Sequence, residues 1–136
     1  LLDLLTDEDL TIADVLLKTN IPGLRVLPAG RYDENATELL ASRRMASIVN
    51  ELSTRFPDRI VIFDSPPLSI TSEARVLASQ MGQIVLVVRA GHTPQDAVLS
   101  AVESLDENKA INLVLNQARH GFARGGYGAN HVYGYS

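Results

Sequence analysis

Residues 60–67 read Ile-Val-Ile-Phe-Asp-Ser-Pro-Pro, a run of four apolar residues that ends in one acid and a stiff turn. A run with no polar alternation suits a strand covered on both faces of a parallel sheet. Asp64 falls at the carboxyl end of that strand, where open α/β sheets gather their ligands. Pro66 and Pro67 stop the strand and rigidify the loop that carries the acid. A carboxylate held there can bind Mg²⁺, directly or through water, beside a nucleotide phosphate. The same octet also fits a strand followed by a turn whose Asp merely starts a helix.

The rest of the chain extends the alternation. Thr11 with Asp14 predicts a capped helix carrying Ile12, Val15 and Leu16 on its apolar face. Pro22-Gly23 breaks it before a short strand over 24–27, ended by Pro28-Ala29-Gly30. Asn35 and Glu38 open the next helix, in which Ala41, Met45, Ile48, Val49, Leu52 and Phe56 keep helical spacing up to Pro57. Residues 72–81 read as a helix closed by Gly82, and Ile84 to Val88 is the strongest strand signal of all. Thr93-Pro94 predicts a cap with proline at the first helical position, opening a helix that buries Ala97, Val98, Ala101, Val102 and Leu105. Ile111 to Leu115 is a last strand. Strands alternating with helices through short connections imply right-handed crossovers, hence an α/β fold with a parallel sheet and helices on both faces.

Composition narrows the function classes. The 136 residues fit one domain, and 46% hydrophobic residues suffice for a core. A net charge of −4 without a basic stripe argues against nucleic acid as a partner. Arg43-Arg44 reads as the solvated face of a helix. No apolar run reaches the roughly 18 residues of a membrane span. The absence of cysteine leaves no disulfide framework, and with no signal-peptide pattern the chain is consistent with the cytoplasm. His92, His120 and His131 lack the spacing of a zinc site. Leu1-Leu2-Asp3-Leu4-Leu5 begins inside an apolar pattern with no initiator methionine, which suggests a fragment.

Composition shifts at Arg119, dividing a domain over 1–118 from a glycine- and tyrosine-rich tail over 119–136 that is expected to be mobile. Tyr127, Tyr133 and Tyr135 lie there among glycines. A phenol on a flexible tether can enter a neighbour's active site and leave carrying phosphate, with about −1.5 to −2 added charge; a low-complexity tail without chemistry is the other reading. Asn116 follows the last strand, at the same sheet edge as Asp64. Its amide offers both a donor and an acceptor to a purine edge, or simply closes a turn. Arg89-Ala90-Gly91 lines the same cleft or forms a surface turn. Ser65 has no adjacent histidine and no glycine–serine–glycine elbow.

Together these motifs resemble the bacterial tyrosine kinases of exopolysaccharide biosynthesis, Walker-type ATPases related to cell-division and plasmid-partition ATPases. Gly23-Leu24-Arg25-Val26-Leu27-Pro28-Ala29-Gly30 looks like that family's "GLxVLPAG" strand and loop. Thr37-Glu38-Leu39-Leu40-Ala41-Ser42 is similar to its "xELLxS" helix start, with Ala36 where proline is usual. Phe63-Asp64-Ser65-Pro66-Pro67 matches its Walker B segment, Val87 to Thr93 its next strand end, and Val114-Leu115-Asn116 the strand before its base-contacting asparagine. Phe63 to Leu68 with Glu73 to Ala78 looks closest to the exosortase-linked subgroup.

The resemblance implies a P-loop, three-layer fold, incomplete at its amino terminus, that uses ATP and Mg²⁺. It implies that Asp64 is catalytic and supports Mg²⁺, that Asn116 contacts adenine, and that Tyr127, Tyr133 and Tyr135 accept phosphate. It further implies a self-associating ring with each tail in a neighbour's site, and a membrane-anchored polysaccharide chain-length regulator that brings the protein to the inner face of the membrane. Two family motifs are absent from the sequence: the glycine-rich loop ending in Lys-Ser/Thr, and the strand ending in Asp-x-Asp. Loop amides and lysine cradle the phosphates, so these residues alone are expected to be inert. A partition-type ATPase switch and a non-enzymatic interaction module remain the alternative readings.

Overall fold

The computed structural model describes residues 1–118. The tail and its three tyrosines lie outside the described residues, as do His120 and His131.

Helix packing makes the core. α1 (Leu2–Thr6), α2 (Ile12–Val15), α3 (Ala36–Leu40), α4 (Arg43–Arg55) and α5 (Ser72–Gln80) converge on one cluster of Leu4, Leu5, Ile12, Leu40, Met45, Ile48, Leu52 and Leu77. Met45, Ile48 and Leu52 recur at three and four on α4, so one stripe of that helix turns inward. Ser42 starts α4, its Oγ accepting from the Met45 N–H at 3.2 Å. The single helix expected from Asn35 onward is therefore two, because the Ser42 cap competes with helix continuation through Ala41. Thr71 caps α5 in the same way, accepting from the Ala74 N–H at 3.4 Å.

Arg44 corrects the reading of Arg43-Arg44 as a solvated face. Its guanidinium donates to the carbonyls of Leu4, of Asp7 (2.9 Å) and of Leu10 (3.4 Å), which satisfies the carboxyl end of α1 and the chain beyond it. Only Arg43 faces solvent.

The Thr11 cap forms as expected, with the Asp14 carboxylate accepting from the Thr11 N–H at 2.9 Å. The helix is a single turn, however, and Leu17–Lys18 leaves it as β1, pairing antiparallel with β2 (Arg25–Val26). The 28–30 loop after β2 docks on α1. The Leu2 N–H donates to Ala29 O at 2.8 Å, and Asp3 Oδ1 accepts from both N–H and Nε of Arg31 at 3.3 Å.

β3 (Gln83–Arg89) and β4 (Ala110–Asn116) pair in parallel, joined through α6 (Gln95–Glu103) as a βαβ unit. Two expectations fail around them. Thr93 does not cap α6; its hydroxyl accepts from the Arg89 N–H at 3.0 Å, and Pro94 stands at the cap. No residue of α6 is buried, so its apolar stripe is only half covered. The larger correction concerns residues 60–63. They form neither helix nor paired strand among the described residues, so the expected continuous sheet is two separate pairs there, one parallel and one antiparallel. The stretch makes no backbone hydrogen bond among the described residues, and it is such pairing that turns an apolar run into a strand.

Candidate functional site

Phe63 packs against the helical core and fixes the base of the loop that follows. Beyond it Asp64 is exposed. The Ser65-Pro66-Pro67 turn is short and tied to α5. Ser65 Oγ donates to Pro66 O at 3.1 Å, and the N–H groups of Ile70 and Thr71 donate to Pro67 O at 3.0 and 3.4 Å. α5 is pinned in turn to α3, through Thr37 Oγ1 and Ser72 Oγ at 3.1 Å and through Gln80 Nε2 on Leu40 O. The acid thus sits on a braced turn, as the prolines imply.

Asp64 lies at the rim of an open groove of about 980 Å³ between the 23–29 and 58–64 segments. Leu52, Phe56 and Leu77 line it from the core side. Arg59 bridges the two walls, donating from Nη1 to Gly23 O at 3.2 Å, and its guanidinium stacks 5.8 Å from the centre of the Phe56 ring. Arg25 and Arg59 are the cationic side chains that line the groove among the described residues.

The end of the parallel pair holds the other candidates. Arg89 and Asn116 are register partners, and the Ala90 N–H donates to Asn116 O at 2.9 Å. Asn116 Oδ1 accepts from the Gln117 N–H at 2.8 Å, with Gln117 at φ +57°, a left-handed conformation uncommon for a residue other than glycine. The amide nitrogen of Asn116 makes no hydrogen bond among the described residues, so its donors remain available. Arg89-Ala90-Gly91 resolves as a turn: the N–H groups of His92 and Thr93 return to Arg89 O, and Gly91 takes φ +69°. The partner sequence reasoning missed is Gln117, whose Oε1 accepts from Arg89 Nε at 2.7 Å. Nothing in the local sequence marks that pair, since only the register of β3 on β4 brings the two together. Asn116 does not line the groove that Asp64 borders.

Among the described residues no three His, Asp or Glu side chains gather as a metal site. Mg²⁺ prefers an octahedral shell of oxygens and takes one or two carboxylates together with phosphate and water. Asp64 fits as one such ligand. Were Mg²⁺ bound there, its other ligands would come from phosphate, water or residues outside this set.

No protein-family model matches the chain. Tyrosine-protein kinase CpsD of Streptococcus agalactiae is 29% identical over 120 residues, covering 86% of this chain and 52% of CpsD. Tyrosine-protein kinase YwqD of Bacillus subtilis is 30% identical over 100 residues, covering 72% and 41%. The crystal structure of the VpsO kinase domain superposes with a TM-score of 0.76 at 30% identity, covering 88% of this chain and 58% of that domain. The chain is a mixed α/β relative of these kinase domains. In sequence and fold it is similar to the carboxyl-terminal part of the kinase domain of bacterial tyrosine kinases. It spans about half the length of the curated relatives it matches.

Proposed function

We propose that this chain is the carboxyl-terminal half of an ATP-dependent protein-tyrosine autokinase that regulates exopolysaccharide synthesis and export. The observation that carries the reading is Asp64, exposed on a braced turn at the end of an apolar segment, in a chain whose relatives are named tyrosine kinases. In the complete site Asp64 would be a ligand to Mg²⁺, directly or through water, and the ion would neutralise charge on the transferring phosphoryl group. Asn116, whose amide nitrogen makes no hydrogen bond among the described residues, would contact the adenine edge. Arg59 and the Pro66-Pro67 turn keep the groove wall and the acid in place while substrate enters. Tyr127, Tyr133 and Tyr135 would be the acceptors, offered to a neighbouring copy. A membrane-anchored chain-length regulator would be the partner that localises the protein; no helix among the described residues is itself long and apolar enough to cross a membrane.

Phosphotransfer requires a phosphate-cradling loop, and these 136 residues contain no glycine-rich segment ending in Lys-Ser/Thr. The test is therefore made in a protein that carries such a loop ahead of this chain. Asp64→Asn there is expected to abolish phosphotyrosine formation, measured by mass spectrometry, with the far-UV circular dichroism unchanged. Phosphotyrosine within about twofold of the unsubstituted protein would reduce Asp64 to a turn residue. The electrostatic organisation of the transferring group supplies most of the catalysis, so a smaller role leaves little room for a partial effect.

A further inference from the structure

Among the described residues, Gln117 is the one residue other than glycine whose backbone is left-handed, at φ +57°. A residue with a side chain stays in that region only where its surroundings hold it there. Here the hold is a closed ring of hydrogen bonds. Gln117 Oε1 accepts from Arg89 Nε at 2.7 Å, a short bond assisted by the guanidinium charge. The Gln117 N–H donates to Asn116 Oδ1 at 2.8 Å, and Asn116 O accepts from the Ala90 N–H at 2.9 Å, which returns the ring to the residue after Arg89. Arg89 is fixed from its own side as well. Its N–H donates to Thr93 Oγ1 at 3.0 Å, and its carbonyl accepts from the N–H groups of His92 and Thr93 at 3.2 and 3.0 Å. The ring decides which end of the Asn116 amide faces outward. Its oxygen is turned to the Gln117 N–H, while its nitrogen, like the two Nη groups of Arg89, makes no hydrogen bond among the described residues. Arg89, Asn116 and Gln117 are all exposed. At this strand end Asn116 and Arg89 therefore present donors, and a donor is complementary to an acceptor, not to an amine.

We propose that Arg89 and Gln117 are positioning residues that clamp the Asn116 amide with its nitrogen outward, so that this strand end reads an acceptor atom of its ligand. The inference rests on the nucleotide reading for the identity of that ligand. On that reading Asn116 donates to a ring nitrogen such as N7, which adenine and guanine share, and leaves the exocyclic amine of adenine unread. An asparagine that separates the two purines uses both ends of its amide, accepting from N6 and donating to N7. The clamp turns the accepting end to the backbone of Gln117, so Asn116 places a purine without choosing between the two. Because the amide is set before the ligand arrives, binding does not have to order it.

Amide hydrogen exchange of the chain itself reads the clamp without any ligand. The Gln117 amide is expected to exchange about tenfold or more slower than an unprotected amide, and Arg89→Met to remove that protection while the amides of β3 and β4 keep theirs. Gln117→Glu, which keeps an acceptor for Arg89, is expected to retain it. In a protein that carries a phosphate-cradling loop ahead of this chain, Arg89→Met is expected to raise KM for ATP about threefold or more with kcat within about twofold, and GTP to reach a kcat/KM within about tenfold of that for ATP. A Gln117 amide that is unprotected, or equally protected with and without the Arg89 side chain, would overturn the proposal. So would a preference for ATP over GTP of about a hundredfold that Asn116→Ala abolishes, because the amide would then be reading the amine. A clamp seen by exchange, together with an Asn116→Ala that leaves the KM for ATP unchanged, upholds the positioning role and counts against the nucleotide reading instead.

Discussion

Gly30→Ala isolates the contact by which the 28–30 loop closes on α1. Gly30 stands at φ +90°, where an L-residue costs about 1–2 kcal/mol. A Cβ built there lies 3.0 Å from the Asp3 backbone nitrogen and 3.1 Å from Asp3 Oδ2, inside the roughly 3.5–4.0 Å of comfortable contact. Neither neighbour yields freely, since Asp3 belongs to the first turn of α1 and its carboxylate is held by Arg31. Gly23 provides an internal control. It has nearly the same backbone, φ +83°, with nothing within 4 Å of its Cβ position. Gly23→Ala should therefore report the backbone cost alone, and Gly30→Ala that cost plus the clash, for a total of about 2–3 kcal/mol. Urea unfolding followed by far-UV circular dichroism measures both, the chain having no tryptophan; the slopes must agree for the midpoints to be compared. Equal losses at the two glycines would show that the loop does not rest on α1. No loss at either would show that the positive φ angles are not maintained.

Arg44→Ala removes the donor that three carbonyls share, and is expected to cost about 1.5–3 kcal/mol by the same urea assay, with Arg43→Ala within about 0.5 kcal/mol as the control. Equal effects at the two positions would refute the assignment. Hydrogen bonds from Arg31 hold the Asp3 carboxyl below its ordinary range, and Thr11 and Asn108 do the same for Asp14 and Asp106. A depressed folded-state pKa stabilises at pH above the unfolded value near 3.8 and loses that contribution as pH falls through the folded value. Stability is thus expected to decline below about pH 4, and Asp3→Asn with Asp14→Asn should flatten that decline in acid titrations of the urea midpoint. An unchanged slope would mean those carboxyls titrate as they do unfolded.

Local chemistry made much of this protein legible. The Thr11–Asp14 pair, the helix over 72–81, the helical stripe Met45-Ile48-Leu52 and the apolar runs of β3 and β4 each follow from periodicity or capping within a few residues. The braced turn after Asp64 follows from two prolines, and the resemblance to tyrosine kinases from motifs in their order. Contacts between distant positions were not legible. Arg44 leaves the solvated face because α1 ends beside it, Arg89 finds Gln117 through strand register, and Leu17-Lys18 becomes a strand because Arg25-Val26 lies opposite. The Ile60 segment shows the limit most directly. Its residues carry strand propensity, but a strand is completed by hydrogen bonds to neighbours, and none forms there among the described residues. Strand propensity belongs to the segment; pairing depends on what the tertiary structure sets beside it.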